Sequence, residues 1–278
     1  NTIRAKDGDQ MTNASFSGKT ALISGGASGR GLATAQRLIA QGATVWIADI
    51  QDTLGQQIAE EIGANYLHLD VAKEEEWTSA VELIAGQGQG LHLLMNNAGI
   101  AIGGTLETQT TAEFLQTINI NLLGVFLGCK VCAPLLALSG GGSIVNVSSI
   151  WGMVSDPGAV AYSASKGGVR TMTKAIALDL ADRKTQIRAN SIHPGFTATP
   201  MVVGSMGEME PEEAAQFAAR TIERVPLGLA EADQIAAAAV FLFSDDSSFM
   251  TGSELVIDGG FTSSPATSHI HLRYPASL

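Results

Sequence analysis

Tyr162 and Lys166 stand one helical turn apart in Tyr162-Ser163-Ala164-Ser165-Lys166. On a helix, residues i and i+4 share a face, so both side chains can enter one pocket. A tyrosine ordinarily ionises at roughly pH 10 and is a poor base at neutral pH, and a neighbouring ammonium favours the phenolate. Such a pair suits the proton half of a carbonyl–alcohol interconversion, where the oxygen's proton must move in step with hydride at carbon. A second cluster, Ser24-Gly25-Gly26-Ala27-Ser28-Gly29-Arg30-Gly31, joins an apolar run to a helical pattern. Glycines at that junction let a pyrophosphate approach backbone N–H groups at a helix N-terminus. Asp49 closes the next apolar run, Val45-Trp46-Ile47-Ala48-Asp49. A carboxylate there can bond an adenosine ribose 2′-hydroxyl and would repel a 2′-phosphate, which points to NAD. The competing reading is an aspartate that only caps the following helix.

These residues need elements to hold them. Apolar, β-branched runs at 20–24, 44–48, 66–69, 91–95, 143–147, 186–191 and 254–257 read as strands. Segments of helical period lie between them at 29–41, 53–62, 74–85, 112–137, 160–181 and 233–243. Continuous apolar strands alternating with helices predict a parallel sheet covered on both faces. The expected fold class is therefore α/β, a single doubly wound Rossmann-type domain over 18–261 with a mainly seven-stranded parallel sheet. Residues 1–17 form an N-terminal extension, with Met11 as a natural start and 1–10 as an addition ahead of it. The stretch 197–227, carrying Met201, Met206, Met209 and Pro211, breaks the alternation and is expected to be a substrate lid. The tail 262–278 reads either as a loose terminus or as an arm on a neighbouring subunit.

Composition narrows the function classes. Sixteen Lys+Arg against 27 Asp+Glu, a net charge of −11, leave no basic surplus for nucleic acid or an anionic membrane surface. With 45% hydrophobic residues and a mean hydropathy of +0.19, the chain is not disordered. Two cysteines and a polar start without an apolar leader point to a cytoplasmic, reducing location. Cys129-Lys130-Val131-Cys132 falls inside an apolar helical segment and reads as two packed thiols rather than a redox pair or half a metal site. His269 and His271 read as solvated tail residues, so no metal site is expected. The apolar run 122–138 contains Lys130 and Pro134 and reads as a buried helix rather than a membrane span. Its apolar character runs around nearly the whole circumference, which asks for a second partner beyond the sheet.

The glycine spacing G-x-x-x-G-x-G resembles that of the short-chain dehydrogenase/reductase family, and the resemblance recurs from Lys19 to Phe261. Asp70-Val71 matches the family's acid–Val pair near the adenine, and Asn96-Asn97-Ala98-Gly99 matches its Asn-Asn-Ala-Gly motif. His193-Pro194-Gly195-Phe196-Thr197-Ala198-Thr199-Pro200 matches its Pro-Gly turn, with Thr199 where the family contacts the cofactor carboxamide, and Asp258-Gly259-Gly260 matches its closing motif. The resemblance implies that Gly25, Ser28, Gly29, Arg30, Gly31, Asp49, Asp70, Val71, Asn97, Ala98, Gly99, Tyr162, Lys166, Pro194, Gly195, Thr197 and Thr199 bind the cofactor. It also implies a catalytic serine thirteen positions before the tyrosine, which is Ser149, and a relay asparagine at Asn121. Asn119 competes for the latter role, but the spacing to the following Gly-x-Phe favours Asn121. Two residues depart from the pattern: Ser24 replaces the customary Thr, and Arg30 replaces the usual Ile or Leu. Arg30 is expected either to strengthen pyrophosphate binding or to point into solvent. Family members that prefer NADP carry a base at the position of Ser28, which again favours NAD.

The implied activity is interconversion of a secondary alcohol and its ketone. Ser149 would orient the oxygen, Tyr162 exchange its proton, Lys166 support the tyrosine and bind the ribose, and Asn121 hold a relay water. Ile150, Trp151, Met153, Val154 and Phe196 are expected to face the substrate, and their apolar character favours a cyclic, aromatic, terpenoid or steroid-like alcohol. The alternatives are a 3-oxoacyl thioester reductase using NADPH and a non-catalytic NAD-binding sensor. His193 reads as structural rather than as a base. The resemblance also implies assembly into a homotetramer or dimer through the apolar helix and the helix bearing Tyr162.

Overall fold

Five strands in this chain are buried along nearly their full length, which only a sheet covered on both faces allows. The computed structural model describes residues 16–198, 212 and 224–263. Its strands Thr20–Ser24 (β1), Thr44–Asp49 (β2), Asn65–His68 (β3), Leu93–Asn96 (β4), Gly142–Val147 (β5) and Ile187–Pro194 (β6) belong to one sheet. A short pair, Thr197–Ala198 (β7) with Ala230–Glu231 (β8), stands apart, and Glu254–Ile257 (β9) closes the main sheet. The seven strands run parallel in the order β3-β2-β1-β4-β5-β6-β9. The fold is a Rossmann-type α/β sheet. Strand order reverses at β1, so the carboxyl ends of β1 and β4 diverge into a crevice, where open α/β sheets bind ligands.

Alternate strand residues feed two cores. Ala21, Ile23, Leu93, Met95 and Val145 pack with residues of helices Gly29–Ala40 (α1) and Asp52–Ile62 (α2). Leu22, Leu94 and Ile144 face the other way, onto Glu74–Gly86 (α3) and a long apolar helical stretch. That stretch is Thr111–Ile118 (α4), a π turn over Asn119–Leu123, and Gly124–Leu138 (α5). Val160–Asp182 (α6) covers the same face, and Ala232–Phe243 (α7) joins α1 on the first.

The seven expected strands are all present, β1 and β9 with the expected bounds and the other five with shifted ends. β6 runs on to Pro194 because β9 pairs with Ser191–Pro194, and it starts after Gln186, whose φ of 59° leaves the strand region. β4 starts at Leu93, because the His92 ring Nδ1 accepts the Thr20 N–H at 3.0 Å ahead of the strand. The helix expected over 112–137 is interrupted by the π turn, closed by an i→i+5 bond from Gly124 N–H to the Asn119 carbonyl. Thr111–Leu138 has the length and composition to cross a membrane, yet half of its most apolar window is buried in the fold. Leu115, Phe126 and Leu138 remain exposed along it.

Trp77 ties these layers together. It is fully buried, and its Nε1–H donates to the Val71 carbonyl at 3.0 Å. A Cβ on Gly128 of α5 would lie 2.8 Å from its ring, so that glycine is what lets α5 approach α3. Trp77→Ala is expected to cost about 3–5 kcal/mol in urea unfolding. A loss under about 1 kcal/mol would show that α3 and α5 do not depend on it.

Candidate active site

The crevice begins where β1 ends. Gly25 (φ +63°) and Gly29 (φ +52°) take left-handed backbone conformations that disfavour any side chain. A Cβ on Gly25 would lie 2.8 Å from Ala98 Cα, and one on Gly31 would collide with the Gly25 carbonyl oxygen. The Ser24 hydroxyl accepts from the N–H groups of Asn97 (3.1 Å) and Ala98 (3.2 Å), so serine does here what a threonine hydroxyl would do. Asn97 returns its side-chain amide to the carbonyls of Ser24 (3.1 Å) and Gly25 (2.9 Å). α1 then starts at Gly29 with no side-chain cap and no acid in its first turn. Its first N–H groups thus remain available to an anion, and a dinucleotide diphosphate fits that cradle.

Gly25, Ser28, Gly29, Arg30, Asp49, Asp70, Val71, Asn97, Ala98 and Gly99 line one groove. Ile50, Gln51, Leu69, Ile100 and Ile120 line it too, none of them singled out by the sequence. Each is a neighbour in sequence of a motif residue or follows from the strand ends, and only the fold reveals it. Gly31 lies under the loop and acts through close packing. Asp49 is buried and accepts from Ala27 N–H (3.3 Å) and Gln51 N–H (3.2 Å). The N-cap of α2 is Gln51, so Asp49 does not cap that helix and instead braces the glycine loop at the groove.

Outside that set of lining residues, Ser149 follows β5 and caps a short 3-10 turn, Ile150–Gly152. Its Oγ accepts the Trp151 N–H at 3.2 Å, which leaves its own proton free to donate to a substrate oxygen. On α6, the Lys166 ammonium lies 5.7 Å from the Tyr162 ring centre and donates to the Val147 carbonyl at 2.8 Å. Asn121 sits in the π turn, buried. Its Oδ1 accepts from Ile100 N–H and its Nδ2 donates to Ile100 O, both at 2.8 Å, and also to Ser165 Oγ at 3.2 Å. Asn119 is exposed. A Cβ on Gly99 would lie 3.1 Å from Asn121 Oδ1 and 3.6 Å from Lys166 Nζ, so these three residues converge.

Arg30 is half-buried in the groove rather than solvent-pointing. Burial holds its guanidinium below the ordinary arginine range, and Tyr162 is its electrostatic neighbour. Burial, and secondarily the Arg30 charge, push the Lys166 ammonium down to about 7. Pro194, Gly195 and Thr197 follow at the end of β6. Gly195 N–H bonds the Ile257 carbonyl at 2.9 Å, and the Thr197 hydroxyl donates to the Gly195 carbonyl at 3.1 Å. Thr199, most of the expected lid and the tail histidines lie outside the described residues.

Trp151 and Phe196 meet edge-to-face at 5.9 Å, and both pack against Phe261 at 5.6 and 5.5 Å. Phe261 was missed in the sequence; its only signal was adjacency to Asp258-Gly259-Gly260. Met153 is half-buried beside this cluster's turn. Ile150, expected to face substrate, is instead 2% exposed and packs with Val225 and Phe261 behind the cluster. Cys129 and Cys132 are buried thiols, the former pushed up to about 12 by burial.

The Lys166 shift has a measurable sign. A lysine at 10.5 when unfolded and about 7 when folded makes the unfolded chain the better proton binder between those values. Stability of the ligand-free protein is therefore expected to rise with pH across that window on this account. Urea unfolding at several pH values should show a flatter rise for Lys166→Met than for the wild type; identical slopes would contradict the burial cost.

A family model described as enoyl-(acyl carrier protein) reductase matches residues 25–262. The cyclopentanol dehydrogenase of Comamonas sp. (strain NCIMB 9872) is 42% identical over 250 residues, covering 88% of this chain and 97% of the relative. The 3-alpha-(or 20-beta)-hydroxysteroid dehydrogenase of Mycobacterium tuberculosis (strain ATCC 25618 / H37Rv) is 41% identical over 246 residues, covering 87% and 89%. The trans-4-hydroxycyclohexanecarboxylate dehydrogenase of Sinomonas cyclohexanicum is 42% identical over 256 residues, covering 88% and 93%. With its glycine loop, its Ser149–Tyr162–Lys166 set and these relatives, the chain belongs to the short-chain dehydrogenase/reductase family.

Proposed function

We propose that this enzyme is an NAD-dependent dehydrogenase that interconverts a hydrophobic secondary alcohol, of the cyclic or steroid-like class, with its ketone. The observation that carries the reading is Lys166, held between the Tyr162 ring (5.7 Å) and the Val147 carbonyl (2.8 Å) two residues before Ser149, and brought by Gly99 to a groove that Asp49 also lines. A bound nicotinamide would accept hydride from the alcohol carbon or return it. Ser149, with its Oγ already accepting from Trp151 N–H, donates its proton to the substrate oxygen and holds it. Tyr162 takes the hydroxyl proton as the carbon–oxygen bond gains double character. Lys166 places a cation beside the phenol, which favours the phenolate during that step. The Asn121 side chain is committed to Ile100 and Ser165, so its part in the relay falls to its backbone carbonyl in the π turn.

Three further features support the finer reading. Asp49 at the groove disfavours a 2′-phosphate by charge and hence supports NAD over NADP. Trp151, Phe196 and Phe261 supply an apolar wall suited to a ring. The relatives named for cyclopentanol, hydroxysteroid and hydroxycyclohexanecarboxylate act on ring alcohols, which supports the same substrate class here. Exposed apolar side chains on α4–α5 (Leu115, Phe126, Leu138) and on α6 (Leu178) support a homotetramer or dimer built on these helices.

Tyr162→Phe keeps the ring and removes the proton carrier. Its turnover number is expected to fall by about 10²- to 10⁴-fold, while fluorescence titration shows NAD binding within about twofold of wild type. Retained turnover would remove Tyr162 from the chemistry.

A further inference from the structure

His193 does more than fill space at the end of β6. The pairing of β5 with β6 ends at Val147 opposite Ile192, with Ser148 N–H donating to the Ile192 carbonyl at 2.9 Å. Beyond that point Ser149 leaves the sheet, with φ −166° and ψ 163°, to cap the 3-10 turn. Among the described residues, no backbone bond from a neighbouring strand reaches it there. His193, the next residue on β6, sends its ring instead: Nδ1 lies 3.2 Å from the Ser149 carbonyl oxygen. That oxygen also accepts the Gly152 N–H at 3.0 Å, so both of its lone pairs are engaged. On the other side, Nε2 lies 2.9 Å from Ser191 Oγ.

The tautomer follows from the partners. A carbonyl only accepts, so Nδ1 carries the proton. The ring is fully buried. Burial lowers its pKa against the opposing pull of the Ser149 carbonyl and Glu254, while Arg170 and Lys174 act with burial. The ring is therefore neutral, and Nε2 accepts the Ser191 hydroxyl proton. It touches no reacting atom.

We propose that His193 is the positioning residue for Ser149, holding that serine's backbone from β6 so that its hydroxyl stays aimed at the substrate oxygen. The proposal rests on the reading of Ser149 as the group that holds that oxygen. Serine has little reach of its own, and a displacement of about 1 Å at such a group can cost on the order of 100-fold in rate.

Two isosteres separate positioning from simple packing. An asparagine amide N–H can stand where Nδ1–H stands, whereas a glutamine amide reaches the place of Nε2. His193→Asn is expected to keep kcat within about threefold of wild type, and His193→Gln to lose about 10- to 100-fold. Both should leave the NAD dissociation constant unchanged. Equal kcat for the two folded variants would overturn the proposal. Nitrogen-15 NMR of the wild-type imidazoles provides a test that needs no variant to fold: a neutral Nδ1–H tautomer for the buried ring is expected at about pH 7 and above. An Nε2–H tautomer would overturn the proposal, because Nδ1 could then not donate to Ser149. Should Tyr162→Phe retain turnover, the catalytic reading fails while the tautomer result still stands on its own.

Discussion

The bonds between Ser24, Asn97 and Ala98 are the constraint on which the site depends. They join the carboxyl ends of β1 and β4 at the one place where strand order reverses. Gly25 must pass close to Ala98 to make them, and Gly31 must pass under the Gly25 carbonyl. The glycines are therefore spent on approach and on left-handed turns. With the loop so held, α1 begins with open N–H groups facing the crevice, Asp49 is drawn in against Ala27, and the Asn97–Gly99 bend carries the chain to Ile100, where Asn121 clasps it.

Charges of both signs meet at this crevice: Asp49, Asp70 and Arg30 line it, and Lys166 is an electrostatic neighbour of Arg30. A chain with net charge −11 thus keeps Arg30 and Lys166 as neighbours beside Tyr162. Neither cation has a carboxylate partner among the described residues. Burial lowers both, the Arg30 charge adds to the lowering at Lys166, and an anionic ligand in the same groove would relieve that cost. An arginine in place of the usual aliphatic residue of the glycine motif therefore bears on Lys166, far along the chain.

Much of this was legible in sequence because the chemistry coincided with local geometry. Tyr162 and Lys166 share a helix face, the glycines sit at a strand–helix junction, and Asp49 closes a strand. What was hidden depended on contacts distant in the chain. The π turn arises inside a segment whose composition reads as uniform helix, so neither its extra residue nor the commitment of the Asn121 side chain to Ile100 is written in periodicity. Phe261 joins Trp151 only because the end of β9 lies beside the end of β6, and Ile150 turns inward for the same reason. The direction of Arg30 and the hold of His193 on Ser149 likewise need the folded register of β1, β5 and β6.

NAD and an apolar ring alcohol are the cofactor and substrate proposed for this site. The most direct measurement is initial-rate kinetics with NAD and with NADP over a panel of cyclic and aryl secondary alcohols, run beside NADPH oxidation with a 3-oxoacyl thioester. Turnover of ring alcohols with a clear preference for NAD in kcat/KM is the expected result. Failure across the alcohols together with thioester reduction by NADPH would contradict it.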